Sequence, residues 1–195
     1  MGPPQESAEF PRVWEELKRW GLLLLTDARL PSVASLVAGE PVRGSWWAHP
    51  QAHAIFRVAS RLDEHPDVTV AKLVSGKVTY AHRKLWPALA ALGSARESWQ
   101  VQGLSRMGRA LLARVLKEGQ LRTDRLFRWR VPFDSAQDKP AGAGREGSRG
   151  GKSKAVGEAA RELERRLLVH GEEFHTETGA HAKWLESWGH WARRV

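Results

Sequence analysis

The chain contains no cysteine in its 195 residues, and it has only one tyrosine and two methionines. The absence of cysteine excludes a disulfide framework, a thiol nucleophile and a thiolate metal site. Apolar runs such as Leu22–Leu25 are far shorter than the roughly 20 residues that a membrane-spanning helix needs. Because the first residues are neither basic nor apolar, we expect no signal peptide and a cytoplasmic protein.

The composition is otherwise that of a globular protein, with 42% hydrophobic and 27% charged residues. The length allows one ordinary domain or two small ones. Lys and Arg outnumber Asp and Glu by 31 to 22, and most of this excess lies in residues 103–154, which carry 13 basic and five acidic side chains. Such a cationic stretch favours a nucleic-acid partner, and the alternative is a solvated face beside a basic disordered loop.

Hydrophobic periodicity and turn residues predict the elements of the first half. Proline opens and glycine ends two of its helices, and Ser75-Gly76 supplies a two-residue hairpin turn. The predicted helices are Pro11–Trp20, Pro31–Ala38, Pro50–Glu64 and Leu85–Leu92, and the predicted strands are Leu22–Leu25, Val68–Val74 and Lys77–His82.

The second half repeats this plan. Ser105 and Thr123 can cap successive helices, and residues 135–154, which are rich in Gly, Ser and charge, predict a flexible basic insertion. Trp184, Trp188 and Trp191 have helical spacing, which favours core packing over base stacking. The predicted helices are Arg106–Glu118, Asp124–Trp129 and Ala155–Val169, and a hairpin is predicted from Glu172–Thr176 and His181–Leu185.

This order predicts an α+β fold of tandem winged-helix-like units, mostly helical with small β-hairpin wings. The units span residues 9–95 and 103–195, and the insertion 135–154 lies within the second. On the segments ALLARVLKEGQLRTDRL (residues 110–126) and AARELERRLLVHGEEFHTETGAH (residues 159–181), this half resembles the winged helix-turn-helix DNA-binding superfamily. The resemblance implies that the third helix enters the major groove and that the wing touches the backbone or the minor groove.

The segment HTETGAHAKWLESW is also similar to the winged-helix proteins related to AlkZ-type crosslink-repair DNA glycosylases. That family uses a Gln-x-Gln pair in catalysis, and Gln100-Val101-Gln102 has these letters here. The pair precedes the helix that begins at Arg106, in what we interpret as a connection between the units. The catalytic residues, if there are any, are therefore unknown from the sequence.

The candidate DNA-binding residues are basic side chains of the second unit and polar side chains of its wing. Arginine dominates, which favours bidentate contacts with phosphate or guanine. The first unit offers a second set of cations, namely Lys72, Lys77, Arg83 and Lys84. The residues predicted to contact DNA in the second unit are Arg106, Arg109, Arg114, Arg122, Arg125, Arg128, Arg130, Lys152, Lys154, Arg161, Arg165, His175, Thr176, Thr178 and His181.

Two further clusters have both a functional and a structural interpretation. His170, His175 and His181 lie near Glu177 on the predicted wing, and zinc accepts such ligands, but their spacing matches no standard site. A solvated wing explains them equally well, so we predict no metal and no cofactor. Trp46-Trp47 could stack on bases, line a pocket or plug the junction between the units.

The sequence thus favours a protein that binds double-stranded DNA through its basic second unit, in a regulatory or DNA-repair role. A DNA-repair enzyme with glycosylase-like base excision and a protein–protein interaction module are the alternatives. No phosphate-binding loop, nucleophile elbow or zinc-protease helix is encoded. The first unit could serve for dimerisation or for binding a protein partner.

Overall fold

The computed structural model describes residues 9–126 and 149–195, and for residues 149–153 it describes the backbone alone. Contacts divide the chain into two compact units, Met1–Ala91 and Leu92–Val195. Both units combine helices with a three-stranded antiparallel sheet, so the predicted α+β class is confirmed. No helix in the described ranges has the length and apolar character needed to cross a bilayer.

The first unit runs helix, strand, helix, helix and hairpin. Its last strand lies in the middle of a three-stranded sheet, where Tyr80 pairs with Leu23 on one side and Val70 on the other. Single 3₁₀ turns cover Trp46–Ala48 and Arg83–Leu85. The main elements are α1 (Glu9–Trp20), β1 (Leu22–Leu24), α2 (Val33–Ala38), α3 (Ala52–Asp63), β2 (Val68–Lys72) and β3 (Val78–His82).

Local sequence accounts for these elements. Helix α1 buries Val13 and Leu17 on one face, as the helical spacing of its apolar residues predicts. Ser32 begins α2 with a capping box, and Gly39 ends it at a positive φ of 76°, which favours glycine. The apolar faces of α1, α2 and α3 meet the sheet in one core around Tyr80.

The second unit repeats the order helix, strand, short helix, helix and hairpin, and its last strand again lies in the middle of a three-stranded sheet. Two helices precede this set and one follows it. The short helix is the 3₁₀ turn Thr123–Leu126. The other elements are α4 (Trp86–Ala95, which crosses the boundary between the units), α5 (Ser98–Val101), α6 (Arg106–Glu118), β4 (Gln120–Arg122), α7 (Arg149–Arg165), β5 (His170–His175), β6 (His181–Glu186) and α8 (Trp188–Arg194).

The core of the second unit lies between α6, α7 and the sheet. Leu111 and Val115 of α6 are fully buried against Ala160 and Leu163 of α7. The predicted cap at Ser105 is confirmed, because its Oγ accepts a hydrogen bond of 2.9 Å from the Gly108 amide. Local capping and helical periodicity therefore place α6 correctly from the sequence alone.

Several predicted boundaries are wrong. Helix α7 begins at Arg149, so residues 149–154 of the predicted flexible insertion are helical, while residues 135–148 lie outside the described range. It ends at Arg165 rather than Val169, because Leu167 adopts a left-handed φ of 55°. The helix predicted to stop before Gly93 continues to Ala95.

The predicted tryptophan stripe is also wrong in one member. Trp184 lies on β6, where it pairs with Arg122 and Glu172 in the sheet, so it does not share a helix with Trp188 and Trp191. The strand pairing decided this assignment, because a spacing of four residues fits a strand followed by a helix as well as one helix. Both tryptophans of α8 are buried, as predicted for core residues.

Replacement of Gly93 by alanine should destabilise the second unit. The glycine in α4 packs against the indole of buried Trp188, and an added Cβ would collide with that ring. We expect Gly93→Ala to lower the free energy of unfolding by about 1–3 kcal/mol through overpacking. Urea denaturation followed by circular dichroism measures the change.

The matched control is Gly157→Ala in α7, where no described atom lies within 4 Å of an added Cβ. Alanine there should leave the stability unchanged or raise it by up to about 1 kcal/mol, because it favours the helix. Equal effects of the two substitutions would contradict the packing of Gly93 on Trp188.

Candidate nucleic-acid interface

One face of α7 carries a stripe of charged side chains. Lys154, Glu158, Arg161 and Arg165 follow one another at intervals of four, three and four residues, and all four are exposed. The opposite face of this helix is buried in the core of the second unit. We call these four residues the α7 stripe. Its three cations form no ion pair with any residue that the structure describes. The helical period thus presents free positive charge on one side.

The turn between β5 and β6 gathers the polar residues predicted for the wing. His175 pairs directly with His181 across the strands, and their ring centroids are 4.4 Å apart. The hydroxyls of Thr176 and Thr178 lie 3.0 Å apart, and Gly179 closes the turn at a φ of 77°. Both histidines are exposed, so the tip of the hairpin offers imidazole and hydroxyl groups to a partner.

The third histidine considered as a metal ligand lies elsewhere. His170 is at the other end of β5, buried between Trp188 and Trp191 at centroid distances of 5.6 and 5.5 Å. It therefore cannot join His175 and His181 around one ion. Within the described residues, no group of three or more histidine or carboxylate side chains is arranged to hold a metal.

A buried ion pair fixes the hairpin against α7. Glu164 is only 4% exposed, and one of its oxygens lies 2.5 Å from Nζ of Lys183 on β6. The same ammonium is 3.4 Å from Glu173, and the Lys183 amide donates to Oγ1 of Thr123. Gly171 leaves room for the glutamate, since a Cβ there would collide with it. Removal of one partner from such a pair typically costs about 3–5 kcal/mol, because the other charge is then buried without a partner.

Several of the predicted DNA-binding arginines are engaged within the second unit. Arg122 makes two hydrogen bonds to Asp124, of 3.1 and 2.8 Å, and its guanidinium lies over the ring of Phe174 at 4.5 Å. Arg109 donates to the Leu104 carbonyl, and Arg114 pairs with Glu118 at 2.7 Å. These three guanidinium groups support the fold rather than standing free for phosphate.

The remaining predicted cations of the second unit differ in their exposure, and some lie outside the described residues. Arg125 is exposed on the 3₁₀ turn, whereas Arg106 is half-buried at the start of α6 and has an interaction partner. Arg128 and Arg130 lie outside the described residues, as does the side chain of Lys152. The structure therefore leaves the α7 stripe and the hairpin tip exposed on the second unit, but not the whole predicted basic set.

The cations of the first unit are engaged as well. Lys77 pairs with Asp27 at 2.5 Å and Arg83 with Asp67 at 3.0 Å. Lys84 donates to carbonyls at the end of α1, and Lys72 also has an interaction partner. A second DNA contact through these four residues would have to break existing interactions.

Gln100 has a structural position that the sequence did not reveal. Its side chain is fully buried, its Oε1 accepts from the Glu97 amide at 2.8 Å, and its Nε2 donates to the carbonyls of Leu92 and Arg166 at 3.2 and 3.0 Å. Arg166 in turn donates to the carbonyls of Gln100 and Gln102, at 3.2 and 2.7 Å. The two side chains thus clasp the segment before α6 to the end of α7.

This clasp bears directly on the Gln-x-Gln pair. The amide of Gln100 has its hydrogen-bonding groups occupied in the interior, whereas Gln102 is exposed. A substrate base could reach Gln100 only if these bonds were broken. The glutamine that the resemblance assigns to catalysis is therefore a structural residue in this fold.

A cavity of about 510 Å³ lies beside the α7 stripe, between α7 and the start of α6. Its lining includes Met107, Glu158 and Arg165. Glu162 fills the amino end of α6, because its two oxygens accept from the amide and the hydroxyl of Ser105 at 3.0 and 2.6 Å. The carboxylate occupies the place that an anionic ligand would otherwise take at this helix end.

Neither a protein-family model, nor a curated protein, nor a solved structure matches the chain. The function is therefore inferred from this chain's own side chains. Of these, the α7 stripe offers three exposed cations that have no carboxylate partner among the described residues, and the hairpin tip offers exposed polar groups on the same unit.

The clasp predicts unequal effects of substitutions in the Gln-x-Gln pair. Gln100→Leu should lower the free energy of unfolding by about 1–3 kcal/mol, because it leaves buried carbonyl and amide groups without partners. Gln102→Leu should change stability by less than about 0.5 kcal/mol, because its side chain is exposed. Urea denaturation of both variants is the measurement, and equal stability would contradict the clasp.

The ion pair of Arg122 predicts a shift in a carboxyl titration. The hydrogen bonds from Arg122 hold the pKa of Asp124 below its ordinary value. A carboxylate with a lowered folded pKa stabilises the fold above its unfolded pKa of about 3.9, and this contribution is lost as the pH falls through the folded pKa. Arg122→Met should therefore raise the Asp124 pKa, as measured by carboxyl NMR.

Arg125→Met serves as the control, because Arg125 lowers the same pKa only through a weaker Coulombic effect. Its substitution should raise the Asp124 pKa by less than Arg122→Met does. An unchanged titration of Asp124 in Arg122→Met would show that the two residues are not paired in solution.

Proposed function

We propose that each unit is a winged helix and that the second unit binds double-stranded DNA. The order α6, β4, 3₁₀ turn, α7, β5 and β6, with β6 in the middle of the sheet, supports this proposal. The first unit has the same order and the same central strand position. In this plan α7 is the third helix, which would enter the major groove, and the β5–β6 hairpin is the wing.

The observation that carries the proposal is the α7 stripe. Lys154, Arg161 and Arg165 are exposed on the helix that this plan directs at DNA, and within the described range they have no carboxylate partner. Cations without an internal ion pair contribute more to DNA affinity than paired cations do, because no ion pair must be broken when they bind phosphate. Binding also releases counterions from the DNA. The exposed histidines of the wing lie on the same unit and extend the polar surface.

The composition of the stripe favours phosphate contacts over extensive base reading. Two arginines can make bidentate bonds to phosphate or to guanine, whereas Glu158 between them and Lys154 would be repelled by phosphate. We therefore expect moderate sequence preference and a strong salt dependence.

Base excision receives no support from Gln100, because its amide is buried in the clasp with Arg166. The cytoplasmic location and dimerisation stay predictions.

The test compares two double variants that remove the same charge. Arg161→Gln/Arg165→Gln should weaken binding to a fluorescein-labelled 20-base-pair duplex by at least tenfold at 50 mM salt. It should also reduce the slope of log K against log salt by about 1 for each phosphate that the variant no longer neutralises. Fluorescence anisotropy between 50 and 200 mM salt measures both quantities.

The control is Lys117→Gln/Arg193→Gln, which changes exposed residues of α6 and α8 without removing an interaction in the described part of the chain. It should retain duplex affinity within about threefold. Equal losses in the two double variants would show binding by net charge alone, and no duplex binding by the wild-type protein at 50 mM salt would refute the proposal.

A further inference from the structure

An exposed aromatic surface lies on the first unit, and the duplex proposal uses none of its residues. Trp47 is 62% exposed and Phe56 is 47% exposed, and together they form one aromatic patch, which is more informative than a single exposed ring. Trp46 stacks under Trp47 with the ring centroids 3.9 Å apart, and Phe56 lies 5.6 Å from Trp47. We call these three side chains the aromatic platform.

The fold holds this platform in place. Trp46 is buried in the core of the first unit, so it supports the ring of Trp47 from beneath. Ile55 of α3 is also buried, which leaves the next residue, Phe56, on the solvent side of the helix. The aromatic rings are thus presented by a 3₁₀ turn and a helix that both pack on the core, and little conformational entropy is lost when a ligand binds.

The segment that carries the platform is basic, and the carboxylate of Glu40 lies next to it, 3.5 Å from His49. Residues 41–62 contain three arginines and no aspartate or glutamate. Arg61 lies over the ring of Phe10 at 3.9 Å, but Arg43 and Arg57 are exposed and have no partner within the described part of the chain. Arg57 follows Phe56 directly on α3, and Arg43 lies in the loop that leads to Trp46. Unpaired cations therefore accompany the exposed rings.

We propose that the aromatic platform binds unpaired bases of single-stranded nucleic acid. Bases stack on Trp47 and Phe56, and the phosphates between them lie against Arg43 and Arg57. Aromatic faces next to cations are the combination that single strands require, because every base has a π-face and every linkage a negative charge. An apolar protein partner would use the rings but would leave both guanidinium groups without a counter-charge.

This inference concerns a different unit and a different ligand from the duplex proposal, so it does not depend on it. In a duplex the faces of the bases are covered by their neighbours, and the platform could not stack on them. The two proposals therefore predict opposite preferences for the two surfaces. The α7 stripe should govern binding of duplex, and the platform should govern binding of single strands.

The experiment measures anisotropy of fluorescein-labelled dT12 and rU12, and of a blunt 20-base-pair duplex, with the full chain at 50 mM salt. Trp47→Ala should weaken binding of at least one of the two single strands by about tenfold or more, and Trp47→Ala/Phe56→Ala should weaken it further. Arg57→Gln should reduce the salt slope for the single strand by about 0.7. Duplex affinity should change by less than twofold in all three variants.

Trp20→Ala is the matched control, because Trp20 is 55% exposed on α1 of the same unit but does not belong to the platform. It should bind single strands like the wild type. Trp47→Phe should retain most of the affinity, whereas Trp47→Leu should lose it, because only the former keeps an aromatic face. Thermal unfolding by circular dichroism verifies that each variant is folded.

Three results would overturn this proposal. The first is no binding of either single strand by the wild-type protein at 50 mM salt, and the second is equal loss in Trp47→Ala and Trp20→Ala. The third is undiminished binding by Trp47→Leu, which would indicate an apolar docking surface instead of base stacking. If the duplex proposal alone fails, single-strand binding will still depend on Trp47, whereas duplex binding will be absent or will be unchanged in Arg161→Gln/Arg165→Gln.

Discussion

The buried carboxylate of Glu164 connects the two elements on which the proposed DNA surface depends. It lies on α7 and bonds to Lys183 on the central strand of the second sheet. A lone charge in this interior would be strongly destabilising, so helix and hairpin are held in the one arrangement that pairs it. Gly171 completes this arrangement by leaving space for the glutamate. The ion pair thus joins α7 to the β5–β6 hairpin at one defined point.

A second constraint is that only some of the cations can bind a partner, because others already form interactions within the fold. Several basic residues that the sequence suggested for nucleic acid are neutralised internally: Arg122 by Asp124, Lys77 by Asp27 and Arg83 by Asp67. Net charge is therefore a poor guide to the binding surface. What distinguishes Arg161, Arg165 and Arg57 is exposure without a carboxylate partner in the described part of the chain. Both proposals depend on this difference.

The two units share an order of elements but present different chemistry. Helix α7 of the second unit exposes cations at helical spacing, whereas α3 of the first unit exposes Phe56 beside Trp47. The same backbone plan therefore supports two surfaces, because the side chains on the solvent side of a helix are not constrained by its core. The function proposed for each unit is accordingly inferred from its side chains and not from the shared plan.

The sequence by itself determined what depends on neighbours a few residues apart. Ser105 begins α6, Ser75 and Gly76 lie at positive φ in the connection between β2 and β3, and the spacing of Arg161 and Arg165 puts them on one exposed face of α7. These features need only capping, turn geometry and helical period, which are local.

Only the tertiary structure decided which side chains have partners. Lys77 meets Asp27 from 50 residues away, Gln100 reaches the end of α7 across 66 residues, and Trp184 joins a strand through its pairing with β4. No local pattern encodes such contacts, because they arise when separate elements pack against a common core. For this reason the sequence indicated a basic protein rich in tryptophan, and the fold determined which of its cations and rings are left for a partner.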